Sequence, residues 1–289
     1  MARLVPVAGG GYAYAYQALG SLGGFTTGWF LALGSIFACG LYAIGFAEYF
    51  ATMLGLKLSP LGVKGLAGAL VLFSAWLNAR GTAGADRIQN LLTWGNLAIL
   101  AALLIGASFF AQPELLTPQF PQGPEGTLGA IGIIYISFFG YQLIANNADE
   151  IKQPEVTIPK AMIYAMGIAF LFYLLVALGS ILTVPWQTLA ASSAPLVDVA
   201  TVVFGGWGWV VISIGGVLAS AGALNSTLLS QGRQIYAMGK DRFMPDLIGK
   251  VHEKSKTPRA ALLTGGLFIL AFLLLFQLEF IAKAANFCL

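Results

Sequence analysis

Seven stretches of the chain run for about twenty residues or more with almost no charge, roughly 23–54, 64–84, 87–111, 127–149, 159–184, 207–237 and 259–278. At 1.5 Å rise per residue, about twenty apolar residues make a helix that crosses the hydrocarbon core of a bilayer. Lipid offers no partner to a backbone N–H or C=O, so such a stretch must satisfy its own, and a helix does so. Only 9% of the 289 residues are charged, against about 25% in a soluble domain. That is too little charge to cover a water-exposed surface, which excludes a soluble globular enzyme. The predicted fold class is all-α integral membrane, a polytopic helix bundle. An eighth apolar segment opens near Glu279 and stops at Leu289, too soon to cross.

The ends of these stretches carry helix punctuation. Ser59-Pro60-Leu61-Gly62 separates the first two, Pro113, Pro118, Pro121 and Pro124 precede the fourth, and Thr257-Pro258 precedes the seventh. Pro159 is expected in the first turn of the fifth, where its missing N–H costs nothing. Orientation follows from Lys and Arg, which collect on the cytoplasmic side. One set of ends holds twelve of the fifteen basic residues, from Arg3 through Arg80, Lys152 and Arg233 to Arg259. The other holds Lys57, Lys64 and Lys283. The N-terminal end is therefore expected in the cytoplasm, in a plasma (cell inner) membrane. That orientation argues against a seven-span receptor or retinal protein, which places its N-terminus outside.

The remaining chemistry is sparse. Cys39 and Cys288 lie far apart in apolar surroundings and His252 is the one histidine, so neither a disulfide framework nor a metal site is expected. No cofactor is expected, and scattered basic residues do not make a nucleic-acid surface. His252, in a Lys-rich loop, reads as solvated. Ionisable residues at membrane depth mark proton relays and voltage sensors. Here the mid-span polar residues are neutral: Ser35, Asn78, Asn96, Ser137, Ser220, Asn225 and Ser226. That pattern suits a carrier of a zwitterion, whose two charges backbone dipoles can meet.

The fourth stretch places Ser137-Phe138-Phe139-Gly140 at its midpoint. Gly140 there either unwinds the helix or packs it in a continuous one. Unwound backbone is tolerable at membrane depth only where it lines a cavity, and it would offer carbonyls to a cation and amides to an anion.

The sequence around it resembles the amino acid–polyamine–organocation (APC) superfamily. Asn146-Asn-Ala-Asp-Glu-Ile-Lys-Gln-Pro-Glu-Val-Thr-Ile-Pro-Lys-Ala161 is similar to the loop after that family's sixth span. Gly9-Gly-Gly-Tyr12-Ala-Tyr14 with Gly28-Trp29 looks like the approach to its third span, and Asn225 through Arg233 to Pro245 like its eighth span and following loop. The three blocks occur in family order along nearly the whole chain.

The resemblance implies a five-plus-five inverted-repeat transporter fold of twelve spans. Residues 1–289 would be a single transmembrane domain holding spans three to nine, truncated at both ends and inactive alone. It implies secondary active transport of amino acids by alternating access. Substrate would bind against Ile136, Ser137, Phe138, Phe139 and Gly140, with Ser35, Cys39 and Tyr42 on one face of the third span. Cys39 reads equally as a small packing residue. Gln142 stands where the family often has Glu, and Asn96 where some proton-coupled members carry Lys, so proton coupling does not carry over. Ser220 is a candidate for a sodium site, and Asp149 and Glu150 are gate candidates. The partners implied are an amino acid, a coupling ion (H+ or Na+) or an exchanged amino acid, and the bilayer. A polyamine or other amine carrier of the same fold is the alternative, and a receptor or channel the alternative from another class.

Overall fold

The computed structural model describes the chain except residues 1, 2, 6, 8, 118–122, 139, 142, 193, 253–256, 278, 279, 282, 283 and 285–289. It describes the backbone but not the side chains of 82–85, 129, 132, 133, 135–137 and 150. The chain is 83% helical, with no strand among the described residues. Five helical segments are long and apolar enough to cross a membrane.

The first helix, α1 (Gly11–Met53), has 43 residues. At 1.5 Å each it would be about 65 Å long, twice a hydrocarbon core. It is not one rod, because the backbone leaves helical geometry at Gly20 (φ 77°, ψ −168°). A short amphipathic lead-in therefore precedes the long apolar part. α2 (Pro60–Arg80) starts where the sequence punctuates it: the Ser59 hydroxyl accepts from the Gly62 N–H at 3.2 Å and Pro60 opens the first turn. α3 (Thr82–Phe109) follows after Gly81.

The fourth apolar stretch folds in pieces. α4 (Gly123–Ser137) ends at mid-stretch, a one-turn α5 (Leu143–Asn146) follows, and a 3-10 turn (Ala148–Glu150) completes it. α6 (Pro154–Thr183) begins earlier than expected, with Pro154 in its first turn. This corrects the expectation for Pro159, which lies inside the helix, past the first turn. There the Glu155 carbonyl loses its N–H partner. A short α7 (Trp186–Ala191) and α8 (Pro195–Phe204) lead through a 3-10 turn into α9 (Gly208–Lys240). α10 (Arg259–Leu275) closes the described helices over 17 residues.

α9 is the centre of the bundle. α1 runs along it in the most extensive helix pair, α3 and α8 pack on it, and α10 joins it to α2. Small residues allow this closeness: Ala43 and Ala47 of α1 and Ala67 and Ala75 of α2 are buried with Leu224, Leu228, Ile269 and Leu273. Polar side chains bridge the same helices. Asn78 Nδ2 of α2 donates to Asn225 Oδ1 of α9 at 2.8 Å, and Asn225 Nδ2 donates to Gln89 Oε1 of α3 at 3.0 Å. By contrast, α6 exposes Ile163, Phe170, Leu171 and Leu174, the surface expected of a helix facing lipid.

The loop before α10 is fastened to α2. Arg259 Nε donates to the Ala79 carbonyl at 2.8 Å, and Thr257 Oγ1 reaches the same oxygen at 3.4 Å. A cation at the last carbonyls of α2 also opposes the negative end of its dipole. His252 belongs to this clasp, which corrects its reading as a solvated residue. Its Nε2 lies 3.0 Å from Arg259 Nη1, and its backbone N–H donates to the Thr257 carbonyl at 2.9 Å.

Candidate functional site

Among the described residues, the interruption between α4 and α5 is where a long apolar stretch stops being helical near its middle. The last four carbonyls of any helix lack partners within the helix, and α4 ends at Ser137, just before the gap. Gly140 has φ +127°, a conformation open to glycine and strained for other residues. Among the described residues, a Cβ added there would meet nothing within 4 Å, so the backbone borders space that they leave open. The chain regains order at once: Leu143 N–H donates to the Gly140 carbonyl at 3.0 Å and Ile144 N–H to that of Tyr141 at 3.3 Å.

α9 holds the far side of the gap. The Ser230 hydroxyl donates to the Leu143 carbonyl at 3.1 Å and accepts from Asn146 Nδ2 at 2.9 Å. Arg233 donates through Nη1 to Asn147 Oδ1. One helix turn cannot hold itself together, so these side chains take the place of missing helical bonds. The lead-in to α1 completes the seat. Gly10, at φ +47°, lies so close that a Cβ on it would collide with the Asn146 side-chain oxygen. Gln234 Nε2 of α9 donates to the Gly28 carbonyl of α1 at 3.0 Å, tying both helices to the same assembly.

On the α4 side the ring of Phe138 meets that of Tyr173 from α6, with centroids 5.1 Å apart and planes at 76°. Ser35 and Cys39 share Tyr42's helix face and are buried, at 1% and 0% exposure. Cys39 lies within the apolar cluster shared with α2, α9 and α10.

The other candidates lie elsewhere. Asn96 is half-buried on α3 and faces α9: a Cβ on Gly215 would stand 3.9 Å from its Oδ1. Ser220 of α9 faces α1 beside Gly45. Asp149 borders a cavity of about 450 Å³ at the ends of α1 and α9, lined also by Tyr12, Tyr16, Tyr236, Lys240 and Asp241. Tyr12 donates to Asp241 Oδ2 there at 2.6 Å. Phe139 and Gln142 lie outside the described residues, as do the side chains of Ile136, Ser137 and Glu150. Tyr173, Asn146, Ser230 and Arg233 are contacts that sequence reasoning missed. Asn146 and Arg233 stand in the quoted motifs, but nothing there pairs them.

Long apolar helices around a polar-bridged centre define an integral membrane helix bundle. A family model described as "Amino acid permease" matches residues 1–289, and the chain belongs to that family, within the APC superfamily. It is 30% identical over 268 residues to an uncharacterized transporter of Mycobacterium tuberculosis, covering 92% of this chain and 59% of the relative. It is 27% identical over 276 residues to the branched-chain amino acid permease BcaP of Bacillus subtilis, covering 90% and 59%. A methylthioribose transporter of Bacillus subtilis is also 27% identical, over 279 residues, covering 90% and 60%. The chain thus spans about three fifths of the length of these relatives. The names are those of permeases and transporters, not enzymes.

Proposed function

We propose that the protein containing this chain is a secondary active transporter of amino acids, working by alternating access, with substrate bound at the break between α4 and α5. The observation that carries this reading is the open space beside Gly140 at φ +127°, next to the carbonyl end of α4. Those carbonyls accept from the substrate's amino group, and the Phe138 ring covers the bound molecule. Ser35 and Tyr42 line the α1 side, with Cys39 supporting them by packing. Ile136, Ser137 and Phe139 complete the wall of the site. The neutral residues at depth favour a zwitterion over a polyamine, which would call for carboxylates there.

Alternating access draws support from how the break is held. α5 is hydrogen-bonded to α9 and also packs on Ile158 of α6, while Phe138 leans on Tyr173 of α6, so α6 touches both sides of the gap and its movement against α9 would change it. Asp149, beside Lys240 and Asp241, and Glu150 serve the cytoplasmic gate, and Gln142 adjoins the break. With Asn96 in place of a lysine, coupling runs through sodium near Ser220 or through exchange. The N-terminal end is cytoplasmic. A neutral sugar-bearing solute is the second reading, favoured by the relative named for methylthioribose.

Uptake of a labelled neutral amino acid by cells expressing the complete reading frame tests the proposal. Saturable uptake competed by other neutral amino acids, and not by polyamines, is the expected result. Uptake of methylthioribose alone would favour the second reading.

A further inference from the structure

We infer that the cavity at the ends of α1 and α9 binds a small zwitterion, a primary ammonium carried beside an acid group, at a site separate from the break. Its volume of about 450 Å³ is that of a small-molecule site. None of its described lining comes from α4 or α5. Two elements build most of it. Because the backbone leaves helical geometry at Gly20, the lead-in of α1 is a short helix of its own. Tyr12 and Tyr16, one turn apart, share a face of that lead-in. The last turn of α9 brings Tyr236 and Lys240, and Asp241 stands at its C-cap. Asp149, from the segment after α5, adds a second carboxylate to the lining.

The charges point to an amine. Asp241 lies at the C-terminal end of α9, where the helix dipole is negative and favours a cation over a carboxylate. Tyr12, 1% exposed, donates to Asp241 Oδ2 at 2.6 Å and so fixes the direction of that carboxylate. An ionised carboxylate takes further donors while it keeps such a bond. Rings surround the same place. Tyr12 and Tyr16 lie 6.1 Å apart, and Phe243 stands edge-on to both, at 6.3 and 5.9 Å. Ring faces attract an ammonium, so rings beside an oriented carboxylate suit an amine better than an anion. Lys240, exposed and on the same lining, meets the acid group of the ligand. A free α-amino acid and the headgroup of phosphatidylethanolamine both carry this pair of charges.

Thermal melting of the purified complete protein in detergent, titrated with alanine, phosphatidylethanolamine or phosphatidylglycerol, tests the inference. Phosphatidylglycerol keeps the chains and the phosphate and lacks the ammonium. A saturable rise in midpoint is expected with alanine, phosphatidylethanolamine or both. Asp241→Asn keeps an acceptor for Tyr12 and removes the charge. It should weaken the apparent affinity for the stabilising probe about tenfold, the worth of one hydrogen bond to a charged group. Lys240→Met should weaken it as well. If Asp241→Asn does not fold, Lys240→Met and Tyr16→Leu supply the reading. Asp241 dependence with phosphatidylethanolamine alone assigns the site to a lipid headgroup, and with alanine alone to a free amino acid. Alanine held only at the break would raise the midpoint equally in wild type and Asp241→Asn. That result, with no Asp241-dependent rise from phosphatidylethanolamine, overturns the inference and leaves the transport reading standing. An equal rise with phosphatidylglycerol, or no rise with any probe, also overturns it.

Discussion

At the scale of single residues, the account turns on Gly10, Gly140 and the side chains that seat the segment after the break. Gly10 is constrained twice, by φ +47° and by its approach to Asn146. Gly10→Val should therefore lower stability by about 1–3 kcal/mol, the range for a non-glycine residue held in a sparsely populated conformation. A thermal melt in detergent, scored as a fall in midpoint against wild type, checks this. Gly140 was conspicuous in the sequence, because a glycine at the centre of an apolar stretch suggests either a packing notch or an unwound turn. The bonds that seat the segment after it were not. Ser230 bonds Asn146 and Leu143 from 84 and 87 residues away, and no local pattern reports a contact of that range. Tyr173 was hidden for another reason: in a helix that faces lipid, one more aromatic residue carries no signal.

At the scale of elements, the apolar periods and caps largely revealed where the helices are, since the membrane permits few alternatives. Ser59-Pro60 marked the start of α2 through a real capping bond. Pro159 misled, because the same proline preference for a first turn was satisfied earlier by Pro154. What local sequence could not convey is the polar chain Asn78–Asn225–Gln89, which joins α2, α9 and α3. Interhelical hydrogen bonds in membranes are worth about 0.6–2 kcal/mol each. Asn225→Leu removes both bonds, leaving Asn78 with its donation to the Ser74 carbonyl and Gln89 with its contact to Thr93. It should cost about 1–3 kcal/mol, read as a lower melting midpoint in detergent. Ser226→Ala, one residue on and bonded only within its own helix, should change the midpoint by a small fraction of that. Equal effects from both would contradict a specific role for the chain.

At the scale of the whole molecule, charge scarcity and topology dominate. Twelve of fifteen basic residues lie at one set of helix ends, and the structure gives some of them work beyond orientation. Arg259 fastens the loop before α10 to α2, and Arg233 pins the segment after α5. A cysteine in place of Lys57 should react in intact cells with a membrane-impermeant maleimide, whereas one in place of Arg3 should react only after permeabilisation. The opposite pattern would invert the orientation. In the proposed function, the fold and the transport chemistry meet at the break beside Gly140. The most direct measurement is saturable amino-acid uptake by Gly140→Leu, compared with wild type at matched amounts of protein in the membrane. The account predicts uptake at background with insertion intact, because a leucine side chain cannot be accommodated at φ +127° without altering the break. Uptake at the wild-type rate would mean that substrate does not bind there.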